Sequence, residues 1–195
     1  NWFKNVSMIR PHLQVRMPSF DYTDEEWNDL ISYFQQKDNL DLIYEDPHNF
    51  TLNSSSFKAG QRIAEMGACS NCHFYGEEKP KQDALTWAPN LALTKERLRP
   101  EWLVEWFINP QDVMPGTKMP APYIPTEEPQ NSIREVWGSD VAKISRDSTK
   151  LYKSLIDWMW GMEGRKDVSS IVRRHLNSQG YGFIIEEEDD WGDEW

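Results

Sequence analysis

Apolar residues recur at spacings of three and four along four stretches of the chain, which is the pattern of an α-helix with one apolar face. The first stretch begins with Thr23 and Glu26, the two residues of a capping box, and acidic side chains there suit the positive end of a helix. The four stretches predict an all-α fold. Their apolar residues are Trp27, Leu30, Ile31 and Phe34; Phe57, Gly60, Ile63, Ala64 and Met66; Trp102, Leu103, Trp106 and Phe107; and Tyr152, Leu155, Ile156 and Met159.

Glycine and proline residues predict where these helices begin and end. Gly67 is expected to stop the second helix, Pro100 fits the first position of the third, and Pro110 is expected to end it. Two weaker patterns predict further short helices: Ile133, Val136 and Trp137 in one, and residues 170–180 in the other, with Gly180 as its stop.

The charge of the chain is negative and concentrated at one end. The formal net charge is −11, and seven of the acids lie in the last ten residues, so the remainder carries about −4. Such a like-charge block is typical of a solvated tail or, because aromatic residues are interleaved with it, of a docking segment. The charge excludes a basic nucleic-acid surface.

We find no apolar run near the ~20 residues that span a bilayer, so membrane association is expected only through partners. We also find no signal-peptide pattern, which suggests a processed product or a fragment.

The chemistry of the chain centres on CSNCH, in which its two cysteines, Cys69 and Cys72, precede His73. Two thiols at this spacing can add across the two vinyl groups of one haem, and the adjacent histidine then falls under the iron as an axial ligand. The motif therefore predicts one covalently attached haem c.

Other uses of these cysteines fit the sequence less well. A structural zinc site needs four ligands, and His12, His48 and His175 are scattered without a second cysteine pair. A thioredoxin-like pair belongs in a βαβ context that the pattern lacks, and a disulfide would close too small a loop to stabilise much.

Residues 55–163 resemble a class I c-type cytochrome. CSNCH matches the attachment motif of that family, and APNL resembles its G-P-x-L turn, with Ala88 in place of the usual glycine. The resemblance implies that the carbonyl of Pro89 holds the outer nitrogen of His73. PGTKMP matches the distal loop and implies that Met119 is the sixth iron ligand. It also implies that the helices before CSNCH and near the end of the domain pack crosswise.

Competing residues for these roles remain. Met114 precedes its own proline and is the alternative distal ligand, although PGTKM favours Met119; packing is the simpler role for Met114. His175 lies beyond the last predicted helix of the domain, where a solvated position is expected. The aromatic residues expected to wall the haem site are Trp102, Trp106 and Phe107.

The chain also contains a partial internal repeat. Residues 2–18, WFKNVSMIRPHLQVRMP, resemble residues 106–120, WFINPQDVMPGTKMP, and a helix with the same apolar spacing follows each. The first copy lacks an attachment motif, so it resembles the back half of a second cytochrome c domain with Met17 in the distal position. Either Met17 is the distal ligand of a second haem attached to another chain or fragment, or the segment is a haemless relic that packs on the intact domain; a third possibility is a fragment of a longer multihaem chain.

These observations divide the chain into a half-domain at residues 1–37, a linker at 38–55, a complete monohaem domain at 56–163 and an acidic extension at 164–195. His48, in the linker, is expected at the surface. The domain carries an insertion at 120–148, which either covers part of the haem edge, meets a partner, or is a surface excursion.

A histidine–methionine pair leaves no open position on the iron, so the predicted function is one-electron transfer between redox proteins, as a subunit or fragment of a multihaem respiratory assembly. The alternatives are a mainly structural haem subunit of a larger oxidoreductase and a haem enzyme or sensor in which the methionine is displaced. The family resemblance implies an extracytoplasmic location, and paired cytochrome units favour the bacterial periplasm.

Overall fold

The computed structural model describes residues 20–38, 48–163 and 168–180. Three predicted segments lie wholly or partly outside these residues: the first copy of the repeat with Met17, the linker, and the acidic tail. The chain forms two compact units, one from Asn1–Glu45 with Val168–Trp195 and one from Asp46–Asp167. None of the helices in the described ranges combines the length and apolar composition needed to span a membrane.

The described residues are mostly helical and contain no β-sheet, which confirms the all-α prediction; their only extended pairings are isolated bridges. The first unit contains helices α1 and α9, and the second contains α2 to α8 with three short 3₁₀ turns. The α-helices are α1 Asp24–Asp38, α2 Ser55–Met66, α3 Thr94–Arg97, α4 Pro100–Ile108, α5 Pro110–Val113, α6 Gln130–Val136, α7 Ser139–Ile144, α8 Ser148–Trp160 and α9 Ser169–Ser178.

Helix α2 leads directly into the attachment motif, and its ends are set by local chemistry. The side chain of Ser54 accepts a hydrogen bond from the N–H of Phe57 at 3.1 Å, which caps the first turn. At the other end the N–H of Gly67 bonds to the carbonyl of Ile63 at 2.8 Å, as predicted for the stop. One face of the helix is buried, and burying Ile63 alone stabilises the unit by about 2 kcal/mol.

Helix α8 is the most buried element of the second unit. Asp147 caps its start by accepting a hydrogen bond from the N–H of Lys150 at 3.1 Å. Leu151 and Ile156 are completely buried. The helix ends where Gly161 stands against the ring of Phe57, and a Cβ on that glycine would lie 2.5 Å from the ring. The small residue therefore lets the start of α2 approach the end of α8.

Helices α2 and α8 pack against each other, as expected for the helices before the motif and at the end of the domain. Gly60 marks their closest approach, because a Cβ built on it would lie only 1.8 Å from the carbonyl oxygen of Ser154. No side chain fits in that space. The glycine on the predicted apolar face thus allows backbone-to-backbone contact between the two helices.

Helix α4 begins with Pro100 at its first position, as predicted. It ends at Ile108, but Pro110 does more than terminate it. Pro110 occupies the first position of the short helix α5, because a proline that cannot continue one helix is well suited to start the next.

The insertion forms two helices, α6 and α7, where one was predicted. Both contribute to the core: Ile133 and Val141 are completely buried and Trp137 nearly so. Helix α7 packs against α2 and α8, and Ser55 donates a hydrogen bond to Asp140 at 2.6 Å. The insertion is therefore part of the folded unit and not a surface excursion.

The expectation of a surface position for His48 is wrong. Its ring nitrogen Nε2 lies 2.7 Å from Oδ1 of Asp157 on α8, and each side chain is only 12% exposed. The ring also meets Trp160 edge-on at 5.5 Å. An apolar wall on α8 and a carboxylate partner hold this histidine in place, and neither is apparent from the polar sequence around it.

In the first unit, α1 begins with the predicted capping box. The N–H of Thr23 bonds to Oε2 of Glu26 at 2.8 Å, and the N–H of Glu26 bonds to Oγ1 of Thr23 at 3.3 Å. Trp27 is buried, whereas Phe34 is 43% exposed. Helix α9 ends before Gly180, whose φ of +80° is the left-handed conformation that a helix stop requires.

Candidate functional site

The CSNCH motif forms a tight turn immediately after α2. Ala68 has a φ of +52°, and Cys69–Asn71 then form a 3₁₀ turn. The N–H groups of Cys72 and His73 both bond to the carbonyl of Cys69, at 3.2 and 2.9 Å. Both thiols are free and half-buried. The turn therefore brings the two sulfur-bearing residues and the histidine onto one short segment.

His73 is held by the APNL turn itself. Its Nδ1 lies 2.8 Å from the carbonyl oxygen of Pro89. Because a carbonyl only accepts hydrogen bonds, the proton is on Nδ1, and Nε2 of the neutral ring keeps its lone pair. The backbone reinforces this contact, since the N–H of Ala88 bonds to the carbonyl of Cys72 at 2.7 Å. Ala88 does not have a positive φ, so alanine is accommodated where the resemblance leads one to expect glycine.

Burial sets the protonation of these groups. Burial lowers the pKa of His73, and the hydrogen bond to Pro89 opposes this only partly. The imidazole is therefore neutral near pH 7, the form that can bind a metal. Burial likewise raises the pKa of the Cys69 thiol.

The side chain of Asn90 joins the two loops that carry His73 and Pro89. The sequence patterns did not single this residue out. Its Oδ1 accepts hydrogen bonds from the N–H groups of Gly76 and Ala92 at 3.0 and 3.1 Å, and its Nδ2 donates to the carbonyl of Gly76 at 3.1 Å. The side chain is buried. These three hydrogen bonds connect the loop after His73 to the residue that follows Pro89. The one available indication in the sequence was an asparagine at the start of a short turn.

A small aromatic cluster completes this proximal side of the site. Phe74 and Trp87 are buried and meet edge-to-face at 5.2 Å, and the indole N–H of Trp87 donates to the carbonyl of Gln82 at 3.0 Å. The N–H of Leu91 bonds to the carbonyl of Phe74 at 2.9 Å. Side-chain packing and backbone pairing thus hold the chain on either side of the His73–Pro89 contact: Phe74 next to His73, and Trp87 and Leu91 close to Pro89.

Met119 lies on an irregular segment and is partly buried against the hydrophobic core of the second unit. The indole N–H of Trp106 donates a hydrogen bond to its sulfur at 2.8 Å. Trp106 in turn stacks on Trp102, with ring centroids 5.1 Å apart. Phe107 is buried in the core and stacks with Tyr152 of α8. The structure therefore links Trp102, Trp106 and Met119 in one chain of contacts, whereas Phe107 packs in the core against α8.

The alternative ligands occupy different surroundings. The side chain of Met114 is 53% exposed on the turn after α5, in contrast to Met119. His175 lies on α9 in the other unit. Met17 is outside the described residues.

The donor set suits a haem. Two free thiols, an imidazole nitrogen with a lone pair and a partly buried thioether are present, and Cys69 and Met119 contact the same core. The pKa of the buried Tyr75 hydroxyl is raised first by burial and then by the neighbouring Cys69, and a hydrogen bond with the backbone of Ser70 opposes this only partly. The described residues contain no cluster of three or more histidine, cysteine or acidic side chains suited to a metal ion.

Comparisons of the chain with protein-family models, with curated proteins and with solved structures found no match in any of the three.

Proposed function

We propose that this protein carries single electrons between redox partners by means of one covalent haem c, bound in a cytochrome c-like helical domain formed by the second unit. The contact between Nδ1 of His73 and the carbonyl of Pro89 is the observation that carries the proposal. It orients the ring and selects the tautomer whose Nε2 can bind iron. The motif that places this histidine next to two thiols supplies the means of attachment.

Each residue has a distinct role in the proposal. The thiols of Cys69 and Cys72 would each add across one vinyl group of the haem, forming a carbon–sulfur bond while the thiol proton goes to the neighbouring carbon, so no oxidant would be needed. His73 and Met119 would supply the imidazole and thioether ligands of the iron. Trp102 and Trp106 shield the methionine side from water, which lowers the local dielectric and favours the less charged reduced state.

The bound haem supplies a metal that gains and loses one electron. With ligands from both His73 and Met119, the iron would have no free position for a substrate, and the protein would pass one electron from a donor protein to an acceptor without bonds forming or breaking. This favours a carrier over a catalyst. The partners are redox proteins, and haem c attachment favours an extracytoplasmic location such as the bacterial periplasm, within a respiratory assembly.

The test is to produce the chain in a host with and without machinery for haem c attachment. With the machinery, we expect the intact mass to increase by one haem that stays bound after denaturation, and the Cys69→Ala/Cys72→Ala double variant to lose it. A chain recovered without haem, while a control cytochrome in the same cells is loaded, would overturn the proposal.

Ligation is tested with two methionine variants. Met119→Leu should keep the covalent haem but lose the far-red absorption band of methionine-bound ferric iron, and the reduced variant should bind carbon monoxide. Met114→Leu is the matched control and should keep the band. Rapid binding of carbon monoxide to the reduced unmodified protein would instead support a catalytic or sensing role.

The N-terminal segment is tested by counting haems. We propose that Met17 contributes to a second haem shared with another chain or fragment. A native assembly with a second, non-covalently held haem on this chain, and a spectral change in Met17→Leu, would support that role. One haem per chain and a silent Met17→Leu variant would identify the segment as a relic.

A further inference from the structure

The hydrogen bond between Trp106 and Met119 connects two residues that sequence patterns assigned to different roles, a wall of the site and an iron ligand. The indole N–H points at the thioether sulfur, 2.8 Å away. Indole is a donor only, so the sulfur acts as acceptor through one lone pair. A thioether sulfur has two lone pairs, and the second remains available.

Packing restricts the position of the donor. Trp106 lies on α4, and its ring stacks on Trp102 one helical turn earlier, with an angle of 15° between the ring planes. Both rings are half-buried against the core, as is Met119. A flexible, unbranched methionine would otherwise sample several rotamers on an irregular segment. The stacked pair therefore supplies a stationary N–H to which the sulfur can be held.

We propose that Trp106 is a positioning residue for Met119: its N–H occupies one lone pair of the sulfur, holds the thioether toward the haem site and leaves the other lone pair for iron. The inference rests on the proposed function and deepens it. It implies that Trp106 fixes which lone pair binds, and hence the configuration at the bound sulfur. The hydrogen bond also withdraws electron density from sulfur, which weakens its donation to ferric iron more than to ferrous iron and raises the reduction potential.

The test is the Trp106→Phe variant of the haem-loaded protein, which removes the N–H and retains an aromatic ring. We expect unchanged covalent haem content, a weakened far-red methionine band, and a three- to tenfold shift of the ferrous–ferric equilibrium toward the ferric form. The upper end corresponds to a fall of 59 mV in potential for one electron. Carbon monoxide should displace Met119 about tenfold more readily, in line with the loss of one hydrogen bond.

Trp137→Phe is the matched control, because it removes an indole N–H from a buried tryptophan outside the Trp102–Trp106 pair, one whose ring packs against Tyr123. It should leave the band, the potential and carbon monoxide binding close to those of the unmodified protein. If Trp106→Phe also leaves all three unchanged, or if both variants shift them equally, the positioning role is wrong. A chain that never holds haem would overturn the proposed function itself. Measuring the haem content of the unmodified protein detects that outcome without any variant.

A second measurement does not require the tryptophan variant to fold. The indole proton of Trp106 should exchange with solvent more slowly than that of Trp102 in the haem-loaded protein, and Met119→Leu should accelerate it because leucine offers no acceptor. An exchange rate that Met119→Leu leaves unaltered would contradict the hydrogen bond.

Discussion

The two sides of the candidate site are held by different means. On the proximal side, the main chain around His73 pairs directly with the segment 81–91 through several backbone hydrogen bonds, and Asn90 adds a buried bracket. On the distal side, the turn before Met119 is closed by one backbone hydrogen bond, from the N–H of Thr117 to the carbonyl of Met114 at 3.1 Å, and otherwise by side chains. Gln111 donates to the carbonyl of Thr117 and accepts from the N–H of Gly116, and all of this lies near the surface.

The difference indicates that the proximal side contributes mainly to stability and the distal side mainly to the position of Met119. Backbone pairing, together with the buried side chain of Asn90, makes the proximal side an integral part of the fold, so changes there should cost stability. An exposed turn closed by one backbone hydrogen bond and a few side-chain hydrogen bonds can change with little loss of stability, so changes there should affect the position of Met119 instead. Helix α8 touches both sides, through Trp158 against Tyr75 and Tyr152 against Phe107.

The largest effect is expected from Gly60→Ala, which should disrupt both sides together. The added methyl group would lie 1.8 Å from the carbonyl oxygen of Ser154, so α2 and α8 must separate. We expect a loss of about 3 kcal/mol in the free energy of unfolding, measured by urea denaturation. Gly67→Ala is the control, because its nearest neighbour would be 3.1 Å away and its φ of −73° is ordinary. Equal losses in both variants would show that the close approach at Gly60 is not limiting.

Asn90→Ala probes the proximal side alone. It leaves two N–H groups and one carbonyl without their partner, and we expect a loss of about 2–3 kcal/mol in the same measurement. Asn90→Asp should lose less, since a carboxylate still accepts both N–H bonds but cannot donate to Gly76. A loss below about 0.5 kcal/mol for the alanine variant would remove the basis for the comparison.

Gln111→Ala is the corresponding change on the distal side. Its bonds are exposed, so we expect a loss below about 1 kcal/mol in the free energy of unfolding. The far-red methionine band of the haem-loaded protein should weaken, because the turn no longer holds Met119 in one place. A stability loss as large as that of Asn90→Ala would show that the two sides do not differ.

The smallest effect concerns pH and the attachment of the insertion. The hydrogen bond from Ser55, together with the nearby Lys143, lowers the pKa of Asp140. A carboxylate whose pKa is lowered on folding contributes stability above its ordinary pKa, and this is lost as pH falls through the lowered value. Below about pH 4, the thermal midpoint of the Ser55→Ala variant should therefore converge on that of the unmodified protein, with the difference present at higher pH.

Lys143→Met is the companion to that experiment. It removes a second group that lowers the pKa of Asp140 but leaves the hydrogen bond from Ser55 in place, so its effect on the thermal midpoint above about pH 4 should be smaller than that of Ser55→Ala. The reverse order would identify charge, and not the hydrogen bond between α2 and α7, as the main link.

The sequence by itself determined the local features of this protein. The helix starts at Thr23 and Pro100, the stop at Gly67 and the all-α class follow from capping, proline geometry and apolar spacing, all of which act over a few residues. The residues of the candidate site, from CSNCH to Met119, were likewise identified from motifs, because those motifs are continuous in the chain.

Only the tertiary structure decided which of these residues meet. The bond from His48 to Asp157 joins positions 109 apart, the Trp106–Met119 hydrogen bond depends on the path of an irregular turn, and the core role of Trp137 depends on where the insertion packs. The role of Asn90 was hardly predictable from the sequence, because the three backbone groups that it bonds belong to two separate turns. Such contacts depend on three-dimensional proximity, which local spacing does not encode.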